Sequence, residues 1–165
     1  MRDGTDHTGA VLAARLALEN LLHLYAERVD TGDMEGVGEL FENGVVVMPD
    51  GTELRGASAV RAGYVAAVVH YDADGTRTAY QRLRTTPRTR HSVANPIFEF
   101  DRDVCGADVR CTFTVTQQIA DRIEVIVGGR YIDRFEQVES GWRFVRRQIL
   151  IDQVGDVTHH NAALS

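Results

Sequence analysis

The chain has 165 residues, 44% of them apolar and 25% charged, with a formal net charge of −6. That is one ordinary globular domain with enough chain for a sizeable core. The negative balance argues against a general nucleic-acid binder, and no apolar run reaches the length needed to cross a bilayer. All eighteen basic residues are arginine, so neither a Schiff-base lysine nor a P-loop lysine exists. The arginine, alanine and valine bias fits a GC-rich bacterial genome. Met1 to His7 hold no apolar stretch of the kind that opens a secretory signal, so a cytoplasmic location is expected. Cys105 and Cys111 fit neither a zinc pattern nor a disulfide framework and read as reduced thiols in or near a hairpin.

Residues 1 to about 9 are polar and read as frayed. Leu18, Leu22, Tyr25 and Val29 then recur at helical spacing, which predicts a long amphipathic helix over residues 9–30. Asp30 sits in its last turn, where the helix dipole disfavours a carboxylate. It is either part of a solvated turn with Thr31 and Gly32 or an acid aimed into a cavity. Asp33 caps a short helix carrying Met34, Val37, Leu40 and Phe41. Val45 to Met48 form a short strand, Pro49 to Gly51 a turn, and Thr52 to Arg55 a return strand. Gly56 to Ser58 open a third helix with Val60, Tyr64, Val65 and Val68 on its apolar side. Residues 70–89 carry Arg77, Arg82, Arg84 and Arg88 and read as a long surface loop: a solvated or subunit-contacting segment, or a lid.

The second half reads as strands. Thr89–Phe100 is the first, and period-two alternation places His91, Val93, Asn95 and Ile97 on one face, with Ser92, Ala94 and Phe98 on the other. Asp108–Ile119 follows, with Val109, Cys111, Phe113 and Val115 on one face. Ile123–Val138 is a longer strand, in which Gly128 and Gly129 mark a bulge or bend. Glu139 to Gly141 make a turn into the final strand, Trp142–Asp152. The tail from Gln153 is polar, and its His159 and His160 read as surface residues without metal partners. Helices first and long antiparallel strands afterwards make an α+β pattern. A strongly bent sheet wrapped around the N-terminal helices would give a cone with an internal pocket.

Several features in this order resemble the SnoaL-like group of the nuclear-transport-factor-2-like superfamily, over roughly residues 10–152. They are Tyr25 and Asp30, the pair Leu40 and Phe41, and Gly56 with Ala59 to Arg61. Further along come Thr89 to His91 with Asn95, Gly129 to Tyr131, Gly141 to Phe144, and Arg147. The resemblance implies a single cone-shaped domain, with a polar tail at residues 153–165. Scytalone dehydratase and hexachlorocyclohexane dehydrochlorinase belong to the branch that looks nearest, and the β chains of ring-hydroxylating dioxygenases share the fold. From the two lyases, the resemblance places a catalytic dyad on Asp30 and His91. It places pocket positions on Tyr25, Asn95, Tyr131 and Arg147. Tyr25 stands where the dehydrochlorinase has a pocket lysine, which leans away from halide elimination and toward an oxygenated substrate.

A histidine oriented by a carboxylate is a general base near pH 7. Tyr25 would polarise an oxygen and Arg147 would stabilise an anion. The set suits cofactor-independent proton abstraction by a lyase, isomerase or cyclase, with no metal and no organic cofactor. The ligand would be a small, mostly apolar, oxygenated ring. A non-catalytic binder of a hydrophobic molecule and a structural subunit remain alternatives. Apolar residues on the outer face of the sheet, together with the resemblance, point to a homo-oligomer, a dimer or trimer. On the final strand, alternation sends Arg146 and Arg147 to opposite faces; the resemblance implies that Arg147 is the inward one, where it must meet a carboxylate, carbonyl or anion, and that Arg146 points outward.

Overall fold

The computed structural model of the chain describes residues 4–163. The helix α1 (Gly4–Thr31) comes first. The expected fraying of residues 1 to about 9 is overturned from Gly4 on, where the chain is already helical, and the rest of that expectation lies outside the described residues. Ala14, Leu18, Leu22, Tyr25 and Val29 form its buried stripe, spaced by three and four residues so that they fall on one face. Gly32 ends α1 with φ +75°; a Cβ there would lie 1.9 Å from the Thr85 carbonyl oxygen. Glycine is therefore needed for the left-handed turn and for the loop that crosses it. The helix α2 (Met34–Leu40) is capped by Asp33, whose carboxylate accepts from the Gly36 amide at 3.1 Å.

β1 (Val45–Val47) and β2 (Glu53–Arg55) form a short antiparallel pair, followed by α3 (Gly56–Ala67). Residues 70–89, read as a loop, contain a two-stranded hairpin of β3 (His70–Tyr71) and β4 (Arg77–Thr78). Each strand is two residues long, too short for a periodic signal. β5 (Thr89–Phe100), β6 (Gly106–Ile119), β7 (Arg122–Val138) and β8 (Gly141–Val154) are the long strands.

Six strands form one sheet in the order β2-β1-β8-β7-β6-β5. It is mixed rather than wholly antiparallel, because β1 runs parallel to β8, Val46 facing Arg147. It curves without closing into a barrel, since β2 and β5 remain edges. Register shifts at Ala94/Ile97, Val115/Thr116, Gly128/Gly129 and Arg134/Phe135 supply the bends. At Gly129 a Cβ would lie 2.0 Å from the Leu150 carbonyl oxygen and 3.0 Å from the Phe113 ring, so the strands close up only around glycine. Ala107, Val109, Cys111, Phe113, Val115 and Gln117 of β6 are buried in alternation, and α1 lies across this concave face against β5 and β8. Cys105 and Cys111 are free thiols, and burial pushes Cys111 up to about 11.

Among the described residues no helix is long and apolar enough to cross a membrane.

Candidate active site

Asp30, at the end of α1, meets β5 at the concave face. Its carboxylate accepts three hydrogen bonds: from the Thr89 hydroxyl at 2.7 Å, from the His91 backbone amide at 2.8 Å, and from His91 Nδ1 at 2.6 Å. Burial alone would raise its pKa, but the His91 ring and amide and the Thr89 hydroxyl outweigh burial and hold it below the usual value. These donors answer the unfavourable helix terminus: the carboxylate trades the orphan carbonyls of α1 for donors on a neighbouring strand. An ionised Asp30 accepting from Nδ1 fixes the His91 tautomer. Nε2 is left as the acceptor, and no protein group among the described residues bonds to it. The dyad side chains are only 9% and 5% exposed.

Asn95 does not join them. It takes φ +54° at the bulge between Ala94 and Ile97, just before Pro96, which has no amide to offer a ladder. The bulge reverses the faces, so Asn95 is exposed and its amide points to Thr112 Oγ1 at 3.4 Å. Phe98 and Phe100 turn inward and Ile97 is 49% exposed. Strict alternation from His91 predicted the opposite for all of these.

Tyr25, Tyr131 and Arg147 come together, but as packed interior rather than as the wall of an open pocket. All three are buried. The Arg147 guanidinium lies 4.1 Å from the centroids of both tyrosine rings. It donates to Asp133 twice, from Nε at 2.9 Å and Nη2 at 2.6 Å. Tyr25 Oη pairs with Tyr64 Oη at 2.6 Å, and Tyr131 stacks on Phe113 at 4.2 Å. Burial pushes Arg147 down, but Asp133 more than restores it and holds the guanidinium above its ordinary value. The reverse holds at Asp133: burial raises the carboxyl, and Arg147 offsets only part of that. Arg146 points outward, with Glu53 3.4 Å away. The register that separates the two arginines includes a bulge opposite Arg134/Phe135. Asp133 was not singled out in the sequence, and Tyr64 was read only as a residue on the apolar side of the third helix. Asp133 sits on the same face of β7 as Tyr131, a polar residue interrupting an apolar stripe, and that was the available signal.

Part of the polar tail docks on the body: Val157, His160, Asn161 and Ala162 are partly buried, while the residues around them, His159 included, are exposed. The His159 carbonyl accepts from Gln117 Nε2 at 3.0 Å and from Tyr71 Oη at 2.6 Å, and the His160 carbonyl accepts from the Val69 amide at 2.8 Å. His160 is thereby brought into the electrostatic field of His91, Asp30 and His70, which overturns its reading as a surface residue. Nothing in its sequence neighbourhood signals this. Burial, aided by His91 and His70 and opposed by Asp30, pushes His160 down to about 4; burial also lowers His70. Both are thus neutral in the fold near pH 7. A histidine depressed below its unfolded value near 6.5 contributes stability that is complete above 6.5 and lost as pH falls toward the folded value. Asp30 loses its contribution only below its ordinary 3.8. The urea midpoint is expected to fall between pH 6.5 and about 4, and to fall less steeply in a His160→Phe chain. Equal slopes would assign the loss to other groups.

Among the described residues, no three His, Cys, Asp or Glu side chains converge in a way that would hold a metal. Beside Asp30 a cleft of about 600 Å³ opens between Leu83, Arg88, Arg90 and Ile123, so the arginine-rich segment borders the dyad.

The model of the SnoaL-like domain matches residues 10–148. The chain belongs to the SnoaL-like domain family. Solved structures agree on the fold. A nuclear-transport-factor-2-like protein with a cystatin-like fold from Novosphingobium aromaticivorans is 21% identical, with a TM-score of 0.69 over 92% of this chain and 91% of that one. Rv3472 from Mycobacterium tuberculosis, a protein of unknown function solved as a single-substitution variant, is 23% identical, with a TM-score of 0.71 over 98% and 88%. A candidate scytalone dehydratase from Novosphingobium aromaticivorans is 20% identical, with a TM-score of 0.67 over 90% and 91%. No protein of the curated set matches this SnoaL-like chain.

Proposed function

We propose that this SnoaL-like protein is a cofactor-independent lyase, isomerase or cyclase. Asp30 and His91 would do its proton transfer on a small oxygenated ring compound. The observation that carries the reading is the dyad itself: a nearly buried imidazole, its Nδ1 held by an ionised carboxylate, its Nε2 unclaimed by any group among the described residues. Such an imidazole removes a proton from carbon next to a carbonyl, and the carboxylate stabilises the imidazolium that forms. The proton is then returned to carbon for isomerisation, or to a leaving hydroxyl for dehydration. Likeness in fold to a candidate scytalone dehydratase is consistent with this class.

The chemistry can be tested before the natural substrate is found. A panel of bicyclic ketones, 1-tetralone and 2-tetralone among them, is incubated with the protein in deuterium oxide. Proton NMR then follows loss of the signals next to the carbonyl. Exchange faster than with buffer and inert protein is expected for at least one ketone. A panel in which none exchanges faster would sink the reading.

The filled interior around Arg147 favours a second reading, a non-catalytic subunit that assembles with copies of itself. Ile97, Val125, Ile132 and Ile151 are exposed on the long strands, apolar side chains that a second copy would cover. Either reading includes a homo-oligomer, a dimer or trimer. Light scattering at micromolar concentration should return two or three times the chain mass of 18.3 kDa; a single-chain mass would remove the oligomer.

A further inference from the structure

The body of the protein holds residues 155–162 by few contacts. The Gly155 amide donates to the Ile126 carbonyl at 2.8 Å, and the Ala162 amide to the Ala67 carbonyl at 3.0 Å. Between these ends lie the His159 and His160 carbonyl bonds and the partly buried Val157, which packs on the core. A segment tied mainly by hydrogen bonds, with little apolar burial, belongs to the low-stability end of a fold.

The seam beneath it is frustrated. Of the five buried side-chain polar atoms without a hydrogen-bond partner among the described residues, four cluster here: both ring nitrogens of His70, Nδ1 of His160 and Oε1 of Gln117. His70 is 4% exposed and packs its ring 5.0 Å from that of Tyr80. Gln117 lies opposite Thr89, a partner of Asp30, and holds the His159 carbonyl. Buried polar atoms are ordinarily bonded, and each one left unpaired is costly. A seam that gathers four of them beside a buried dyad is built to come apart, or to be completed by polar groups of a ligand.

We propose that residues 155–162 are a gate over the Asp30–His91 site: closed, it sets the His160 imidazole beside the dyad, and open, it admits the substrate to His91. Neutral imidazoles and an amide oxygen offer hydrogen bonds without net charge, so the closed gate suits hydroxyl or carbonyl groups and gives no counter-charge to an anion. The proposal rests on the dyad reading for what the gate guards. Access to His91, however, can be measured without turnover, so the two fail separately.

The experiment is carbethoxylation of the full chain by diethyl pyrocarbonate near pH 7, read by mass spectrometry peptide by peptide. His23, exposed on α1, is the internal standard. In the unaltered chain, His91 and His160 are expected to react far more slowly than His23. Tyr71→Phe removes the hydroxyl that holds the His159 carbonyl. It should speed His91 and His160 together by about fivefold, the worth of one net hydrogen bond, with His23 unchanged. A chain ending at Asp156 should bring His91 close to the His23 rate, while β6 and β7 amides keep their protection from hydrogen exchange. If the truncation also unfolds the sheet, the Tyr71→Phe chain decides alone. A His91 rate that matches His23 in the unaltered chain, or that stays fixed in Tyr71→Phe, would overturn the gate.

Discussion

Replacing Arg147 by methionine should lower the stability of this protein by about 3–5 kcal/mol, the cost of stranding one member of a buried ion pair. For a domain of this size that is a fall in melting temperature of roughly 6–20 °C. The reason is Asp133. Its carboxylate is buried with both oxygens bonded to the guanidinium. Without Arg147, burial acts on it unopposed and it must take up a proton or draw in water. The sandwich of Tyr25 and Tyr131 about the guanidinium is lost in the same step. Replacing a buried ion pair by well-packed hydrophobes can be neutral or even stabilising. That argument holds only when both charges go. A chain carrying Arg147→Met together with Asp133→Leu should therefore recover most of the loss, and chemical denaturation of the three chains measures it. A single Arg147→Met variant as stable as its parent would mean that the pair is not formed in solution. Arg146→Met is the control; its ion pair with Glu53 is exposed and long, and such pairs contribute about 0–1 kcal/mol.

Asp30→Asn is expected to carry the largest functional effect: loss of about 10⁴-fold in ketone exchange, with the fold retained. The carboxylate accepts from three donors at once. An asparagine has one acceptor oxygen for them, and its amide then faces a ring nitrogen as a donor. Nδ1 becomes the acceptor, the ring proton moves to Nε2, and the base is gone. The wrong-tautomer penalty in such dyads is about 10⁴-fold. The stability cost is smaller, about 1.5–3 kcal/mol for hydrogen bonds to a charged group. His91→Ala should reach the same floor, and the double variant should be no worse, because the pair acts as a unit. Asn95→Ala, at the exposed bulge, should leave exchange unchanged. A fall of only a few-fold in Asp30→Asn would make the pair structural, and full activity in His91→Ala would exclude His91 as the base.

Much of this protein was legible without coordinates. The 3.6-residue stripe of α1 and the two-residue alternation of β6 each point one way, since each element buries a single face. The order of elements then implied a bent sheet over helices; Asp30 stood out as an acid at the wrong end of a helix, and the resemblance to the SnoaL-like group supplied His91 as its partner. Tertiary structure decided the rest. The face of Asn95 depended on a bulge, and a one-residue slip reverses every side chain beyond it. The partner of Arg147 depended on the register between β7 and β8, which pairs Asp133 with Arg147 across 14 residues. β1 joined β8 in parallel through a pairing of residues far apart in the chain. The role of His160 depended on where a polar tail comes to rest, and periodicity carries no record of that. Burial patterns are local and repeat along the chain, so sequence determines them. Register, bulges and the docking of non-periodic segments arise from contacts between residues far apart in the chain, and only the folded molecule brings those together.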